Sequence, residues 1–422
     1  MITTKIKYKA TGLKWISEIP EHWELKRLGG LFDERNETVS ENDFNPLSVT
    51  MQGIVPQLES AAKTMHVDNR KKVCIGDFAI NSRSDRRGSG GLSALEGSVS
   101  IVNTVLKPSA YYLPEYTHFL LTNKLFQDEY YAKGKGIVAD MWSTRFSEMK
   151  TIFLPVPPKA EQDEIVQYIK AQEEKINLFI QKKQRFIELL KEQRQTIITN
   201  AITKGVDDNT KTKNSRVEWL GNVPEHWKIV RLKFLGESFI GLTYSPIDLV
   251  DKDEGTFVLR SSNIQNGKFT TDDNVYVNKE IPEKLILKKG DILLCSRNGS
   301  AELIGKNILI DEESEGNSFG AFMTVFRSDL NYYLYYFFNS NVFKSQTALF
   351  ATSTINQLTN GILSNLTIAF PENIDEQKRI IEHIKTETAT IDTAIAKADR
   401  EIELIREYKE AMIAEAVMGK RK

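Results

Sequence analysis

Cysteine is nearly absent from this chain: Cys74 and Cys295 are the only two in 422 residues, and neither has a second Cys or a His nearby. A disulfide framework is therefore excluded, the thiols are expected to be reduced as in a cytoplasm, and a zinc site lacks its ligands. An excess of charge is also missing. With 56 Lys and Arg against 57 Asp and Glu the formal net charge is -1, so the chain cannot coat nucleic acid by bulk electrostatics. Any nucleic-acid reading must come from local clusters of Arg and Lys. Long apolar runs are lacking too. The stretch at residues 334–338 is far shorter than the ~20 residues that cross a bilayer, and the first residues carry no apolar export core. A cytoplasmic, soluble protein without membrane association is the expectation.

What is present is duplication. Trp15, Pro20, Glu21, His22 and Trp23, followed by Arg27 and Leu28, recur as Trp219, Pro224, Glu225, His226 and Trp227, followed by Arg231 and Leu232. Four of the five tryptophans lie in these two copies, which chance rarely arranges. Deeper in each half, Gly76, Asp77, Ser82 and Arg83 match Gly290, Asp291, Ser296 and Arg297. Both read as a Gly-Asp turn, a short apolar strand and a polar loop carrying Arg. Each domain is rich in short β-patterned runs with a few helical segments such as 331–345, which predicts an α+β fold used twice.

Each half closes on a long helical pattern, starting at Glu161-Gln162 and at Glu376-Gln377. A seven-residue alternation places Ile165, Ile169, Ile176, Phe179, Phe186, Leu190 and Ile197 on the first seam. The second seam takes Ile380, Ile384, Ile391, Ala394, Ala398, Ile405, Tyr408 and Met412. Ile180, Ile187, Ile395 and Ile402 widen the stripe and predict a surface for a further partner. Pro157, Pro158 and Pro371 mark the helix starts, while Gly205 and the polar run after it end the first helix. The predicted order is a domain at 1–156, a helix at 157–204, a linker at 205–218, a second domain at 219–369 and a second helix at 370–420. Two helices of about 40 residues, each roughly 60 Å long, would hold the domains apart in an antiparallel coiled coil with pseudo-two-fold symmetry.

A duplicated domain on a rigid spacer suits a ligand with two sites at fixed separation, and duplex DNA is such a ligand. In this order the Trp-Pro-Trp opening, the Gly-Asp strand with Ser-Arg, and the helix beginning Glu-Gln, all occurring twice, resemble the specificity subunits of type I restriction-modification systems. The resemblance covers almost the whole chain. It implies that each half is a target-recognition domain reading one half of a bipartite double-stranded DNA site. It further implies that the helices set the unread spacer and dock two methyltransferase (M) subunits, and that restriction/translocase (R) subunits join the complex. By the same resemblance the chain is non-catalytic and binds no cofactor itself, with S-adenosylmethionine, ATP and Mg on the partner subunits.

The recognition loops differ between the halves. In the first, Arg83, Arg86 and Arg87 sit among Ser82, Ser89 and glycines, and Lys133, Lys135 and Arg145 form a second basic set suited to phosphate. In the second, Arg260 with Asn263 and Arg297 with Asn298 and Ser300 pair the residue types that read guanine and adenine. Lys306 joins them, with Lys268, Asn356 and Gln357 as weaker candidates. A plain alternative for any of these is a turn residue or a solvated charge. His22 and His226 are expected to pack structurally.

Enzyme signatures do not form. No Asn/Asp-Pro-Pro-aromatic methyltransferase motif occurs, and Gly299 to Asn307 lacks both the spacing and the Ser/Thr of a phosphate loop. The alternative to a DNA reader is a coiled-coil adaptor whose repeated domains bind proteins.

Overall fold

The two tryptophan motifs each fold into a hairpin clasped by the first turn of a long helix. In the computed structural model, which describes residues 7–59, 68–136, 142–207, 209–265, 267–348 and 357–420, Tyr8–Ala10 pairs antiparallel with Glu18–Pro20 and Thr212–Asn214 pairs with Asn222–Pro224. The indole N–H of buried Trp23 donates to Glu161 (2.9 Å), and His22 Nε2 lies 2.6 Å from the same carboxylate. Trp227 and His226 bind Glu376 in the same way, at 2.9 Å each. The neighbouring Gln162 and Gln377 are buried and donate to the carbonyls of Pro157 and Pro371, both at 2.8 Å. The repeated Glu-Gln is thus a fastener between hairpin and helix. The histidines have this structural role, as the sequence predicts.

The chain forms two compact units, residues 1–183 with 399–422, and residues 184–398. In the first, Glu24–Arg27 pairs with Phe153–Val156, the strand leading into the first long helix. Two three-stranded sheets follow, one ordering Asn103–Leu106, Phe78–Asn81 and Gly90–Leu92, the other Gly97–Ser100, Arg70–Val73 and Thr38–Val39. Helices Pro114–Thr122 and Lys124–Ala132 cover a core of Trp23, Tyr116, Phe126 and Leu154, to which the long helices add Ile165, Ile169, Met412 and Val417.

In the second unit Lys228–Arg231 pairs with Thr367–Phe370. One four-stranded sheet orders Glu237–Ile240, Met323–Arg327, Ile292–Cys295 and Asn307–Leu309. Another contains a parallel pair, Thr256–Leu259 beside Ser318–Phe319. Helices Asn331–Phe338 and Asn341–Ala348 pack on Trp227, Leu294 and Phe326 together with Ile198, Ile202, Ile380 and Ile384 of the long helices. The linker expected at 205–218 is shorter than predicted, because its residues Thr212–Asn214 are already the first strand of the second domain.

The long helices run Lys159–Lys204 and Ile374–Val417. In the first unit Lys183–Glu401 (2.5 Å) and Glu173–Lys409 (3.0 Å) fix an antiparallel register. Each unit holds the start of one long helix and the end of the other. The end of the second is tied to the first unit by the Tyr116 hydroxyl on the Val417 carbonyl (2.7 Å), and the end of the first to the second unit by Tyr333 on Ile202 (3.5 Å). Both helices stop at a glycine with φ of +77°, Gly205 and Gly419, the left-handed termination that side chains resist.

The buried stripe follows an eleven-residue spacing, Ile165, Ile176, Ile187 and Ile198, with Ile380, Ile391 and Ile402 opposite in kind. That spacing averages ~3.67 residues per turn, close to a straight helix, whereas a strict seven-residue seam drifts around it. Phe179 and Phe186, placed on the seam by the sequence reading, are consequently exposed. Ile187 and Ile402, read as partner surface, are only 7% and 6% exposed, and Ile180 and Ile395 are half-buried. The apolar surface that does face outward is Leu178, Phe179, Leu404 and Tyr408 in the first unit and Phe186, Leu189 and Ile374 in the second.

Candidate nucleic-acid interface

The repeated Gly-Asp turn positions one arginine in each unit. Gly76 and Gly290 hold φ near +88°, a conformation glycine adopts freely. The aspartate that follows accepts the N–H three residues back, Cys74 to Asp77 at 2.8 Å and Lys288 to Asp291 at 2.9 Å, closing the turn. Each aspartate is also gripped by two guanidinium nitrogens. Arg35 supplies them to Asp77 (2.6 and 3.0 Å) and Arg327 to Asp291 (2.8 and 2.6 Å), and in both cases the carboxylate raises the arginine's pKa. Arg35 lies in the loop before the strand Thr38–Val39, whereas Arg327 ends the strand Met323–Arg327, so the repeated acid takes its partner from unlike places in the two units.

Beyond the strand the two units share a set of bonds. Ser82 donates to the Val102 carbonyl (2.6 Å) and Ser296 to that of Phe322 (3.0 Å). The Ser82 carbonyl accepts from Thr144, and that of Ser296 from Leu358. Arg83 bridges to Ser143 and Arg297 to Gln357. Arg83 and Arg297 therefore occupy equivalent backbone positions, as the sequence repeat predicts.

Their surroundings differ. In the first unit Ser82, Arg83 and Arg145 line a cleft of about 900 Å3 with Asn103 and Trp142. Gly134 has to be glycine there, since a Cβ would lie 2.3 Å from the Trp142 indole nitrogen. Arg83 is tethered to Asp85 at 3.4 Å, and Arg86 reaches the same acid at 3.8 Å. Arg87 turns away from the cleft to Asp128 and lies 4.9 Å over the Tyr131 ring. Lys133 pairs with Glu129 and Lys135 with Glu148, both at 3.3 Å. Ser82 and Ser89 are largely buried, at 7% and 6% exposed.

In the second unit Arg260, Arg297 and Asn298 line a cleft of about 950 Å3 together with Tyr244, Asp273 and Phe322. Arg260 pairs with Asp273 at 2.6 Å. Arg297 lies 5.2 Å over the Phe322 ring and has no carboxylate partner among the described residues. Asn298 donates to Ser261 (3.3 Å), which joins the two loops. Asn263 corrects the sequence reading: it is 0% exposed, its Oδ1 accepts from Arg260 N–H and its amide donates to Thr270 and Asp273 carbonyls, so it builds the loop from within. Lys306 is spent on the Ser261 carbonyl (3.2 Å), and Ser300 is exposed outside the cleft lining. Lys268 is exposed, Gln357 flanks Arg297, and Asn356 lies outside the described residues.

Sequence reasoning missed Arg35, Arg327, Asp273 and Phe322, whose roles depend on contacts across the sheet that no local motif carries.

Residues 224–404, the second domain with most of its helix, match the family described as Type I restriction modification DNA specificity domain. That stretch, less than half of the chain, is similar to a type I specificity domain. Its relatives include the Type I restriction enzyme EcoKI specificity subunit of Escherichia coli strain K12, 29% identical over a stretch covering 47% of this chain and 44% of that protein. The chain is also similar to the putative type I restriction enzyme MjaX specificity subunit of Methanocaldococcus jannaschii, 22% identical over 96% of this chain and 95% of the relative. The matched stretch thus spans less than half of the Escherichia coli relative. A solved structure described as "Structural basis underlying complex assembly and conformational transition of the type I R-M system" shares the fold, with a TM-score of 0.64 and 15% identity over 96% of this chain and 99% of that one. The mixed two-domain architecture with long helices expected from the sequence is that of this structure. No helix among the described residues is long and apolar enough to cross a membrane.

Proposed function

We propose that this chain is the sequence-reading subunit of a type I restriction-modification complex, in which each specificity domain reads one half of a split site on double-stranded DNA. The observation that carries the reading is the placement of Arg83 and Arg297 at equivalent points of one scaffold, each bordering a cleft of different lining. One scaffold with two unlike clefts is what two different half-sites require. The helices, at ~1.5 Å per residue, set the unread interval, and their outward apolar residues, such as Leu178 and Tyr408, dock methyltransferase subunits. Chemistry belongs to those partners and to the restriction subunits, which carry S-adenosylmethionine, ATP and Mg; this chain reads and assembles in the cytoplasm.

The test is an exchange of residues 219–368 for the matching domain of a relative, followed by mapping of methylated sites in the assembled complex. One half of the recognised sequence changes and the other stays. A simultaneous change in both halves, or no sequence preference, refutes the reading, and turnover of S-adenosylmethionine by the purified chain refutes the division of labour.

A further inference from the structure

The cleft of the second unit has the chemistry of a receptor for a flat heteroaromatic ring with polar edges. One face is aromatic: Phe322 is 59% exposed beneath the Arg297 guanidinium, and Tyr244 contributes to the wall. Its edge is a donor beside an acceptor, Arg260 and Asp273 at 2.6 Å, with the Asn298 side chain near them in the same lining. A phosphate would meet the Asp273 carboxylate, and a purely apolar ligand would leave that pair unanswered. Two buried polar atoms of the residues that line it, Arg260 Nε and Ser262 Oγ, have no hydrogen-bond partner within the protein, so the wall is not fully satisfied by its own groups. The space, about 950 Å3, is a hollow in which side chains line walls, whereas groove reading needs side chains that project.

We propose that this cleft receives a single guanine swung out of the duplex. The ring stacks on the Phe322–Arg297 pair, its N1–H and N2–H donors meet Asp273, and its O6 accepts from Arg260 or Asn298. Guanine is the base whose Watson–Crick edge offers two adjacent donors to a carboxylate and an acceptor beside them. The proposal rests on the second domain reading DNA.

The test uses the full chain assembled with its methyltransferase subunits on its mapped recognition duplex. Each nucleotide opposite a guanine of the second half-site is replaced in turn by an abasic one, and each guanine by the fluorescent analogue 6-methylisoxanthopterin. At one guanine the abasic partner should tighten binding by roughly tenfold or more, because unpairing is already done, and the analogue there should brighten severalfold on binding. Phe322→Ala, Phe322→Leu and Asp273→Asn, each checked for unchanged thermal unfolding, should abolish both signals and leave preference for the first half-site intact. Analogues that all stay quenched, abasic partners that only weaken binding, or a second half-site without guanine would overturn the proposal while leaving sequence reading in place. Loss of preference in both halves of the wild-type complex would instead remove the reading on which it rests.

Discussion

Replacing Arg297 by Ala tests the proposed recognition with little expected effect on folding. Its guanidinium contacts the Phe322 face at 5.2 Å and pairs with no described carboxylate. An exposed cation–π contact is worth about 0.5–1 kcal/mol, so that is the largest expected loss of stability. The backbone N–H to the Phe322 carbonyl (3.0 Å) survives the substitution. If Arg297 contacts a base, its loss should cost about 1–3 kcal/mol at the cognate sequence, roughly a 5- to 150-fold change in affinity, and relax preference at one position of the second half-site. If it contacts only phosphate, binding should weaken uniformly and the salt slope fall by about one. Arg83→Ala should act on the other half-site, with a folding cost within about 1 kcal/mol because its Asp85 pair is solvent-exposed. Asn263→Ala is the contrast: it should destabilise the fold by about 1–3 kcal/mol by orphaning buried groups, without altering which bases are preferred. Methylation mapping over a randomised site library, with affinities at several salt concentrations and urea midpoints, reads all three. Wild-type specificity, affinity and salt slope in both arginine variants would refute the placement of these loops on DNA.

Glu376→Ala should cost about 1–3 kcal/mol in urea unfolding by leaving the buried Trp227 indole N–H without an acceptor, Glu376→Gln should recover most of it, and Glu161 should behave alike in its own unit. Ile402→Ala should lose about 2–5 kcal/mol of stability as a buried deletion. Tyr408→Ala, on the exposed face, should change stability by about 0.5 kcal/mol or less and instead weaken co-purification with methyltransferase subunits. Burial lowers the pKa of His118 below its ordinary 6.5, and Glu173 opposes this only in part. The unfolded chain therefore binds the proton first, so the contribution is complete above pH 6.5 and declines as pH falls below it, by at most about 1.4 kcal/mol per pH unit. His118→Phe should flatten that acid limb in pH-dependent unfolding.

The duplication was legible because Trp, Gly and Pro are rare and fixed in spacing by local geometry. The hairpin, the Gly-Asp turn and the helix start each depend on contacts within a few residues or on one side chain returning to the motif. The helix seam was read less well. A seven-residue template and an eleven-residue stripe share Ile165 and Ile176 and then part, so the error appears at Phe179 and Phe186, further along the helix. The polar loops were legible as clusters and not as roles. Asn263 and Arg297 look alike in sequence, yet one is enclosed by its own turn and the other lies open on an aromatic ring. Only the sheet, by bringing Phe322 under Arg297 and Asp273 against Arg260, decides between them.

The shared bonds and the unlike clefts divide the chain by consequence. Ser82 with Val102 and Ser296 with Phe322 hold the backbone of the arginine loop through carbonyl groups, which any residue supplies. The scaffold therefore places an arginine at one spot whatever the side chains at 102 and 322 become. Those side chains face the cleft: valine in the first unit leaves Arg83 to an acid, and phenylalanine in the second gives Arg297 a ring to lie on. Changes at such positions alter the cleft surface at little cost to the fold, while changes at Asp77, Asp291 or the clasping glutamates act on the fold itself. On the proposed reading, a domain built this way acquires a new half-site by side-chain replacement alone, so long as the carbonyl bonds that aim the arginine are kept.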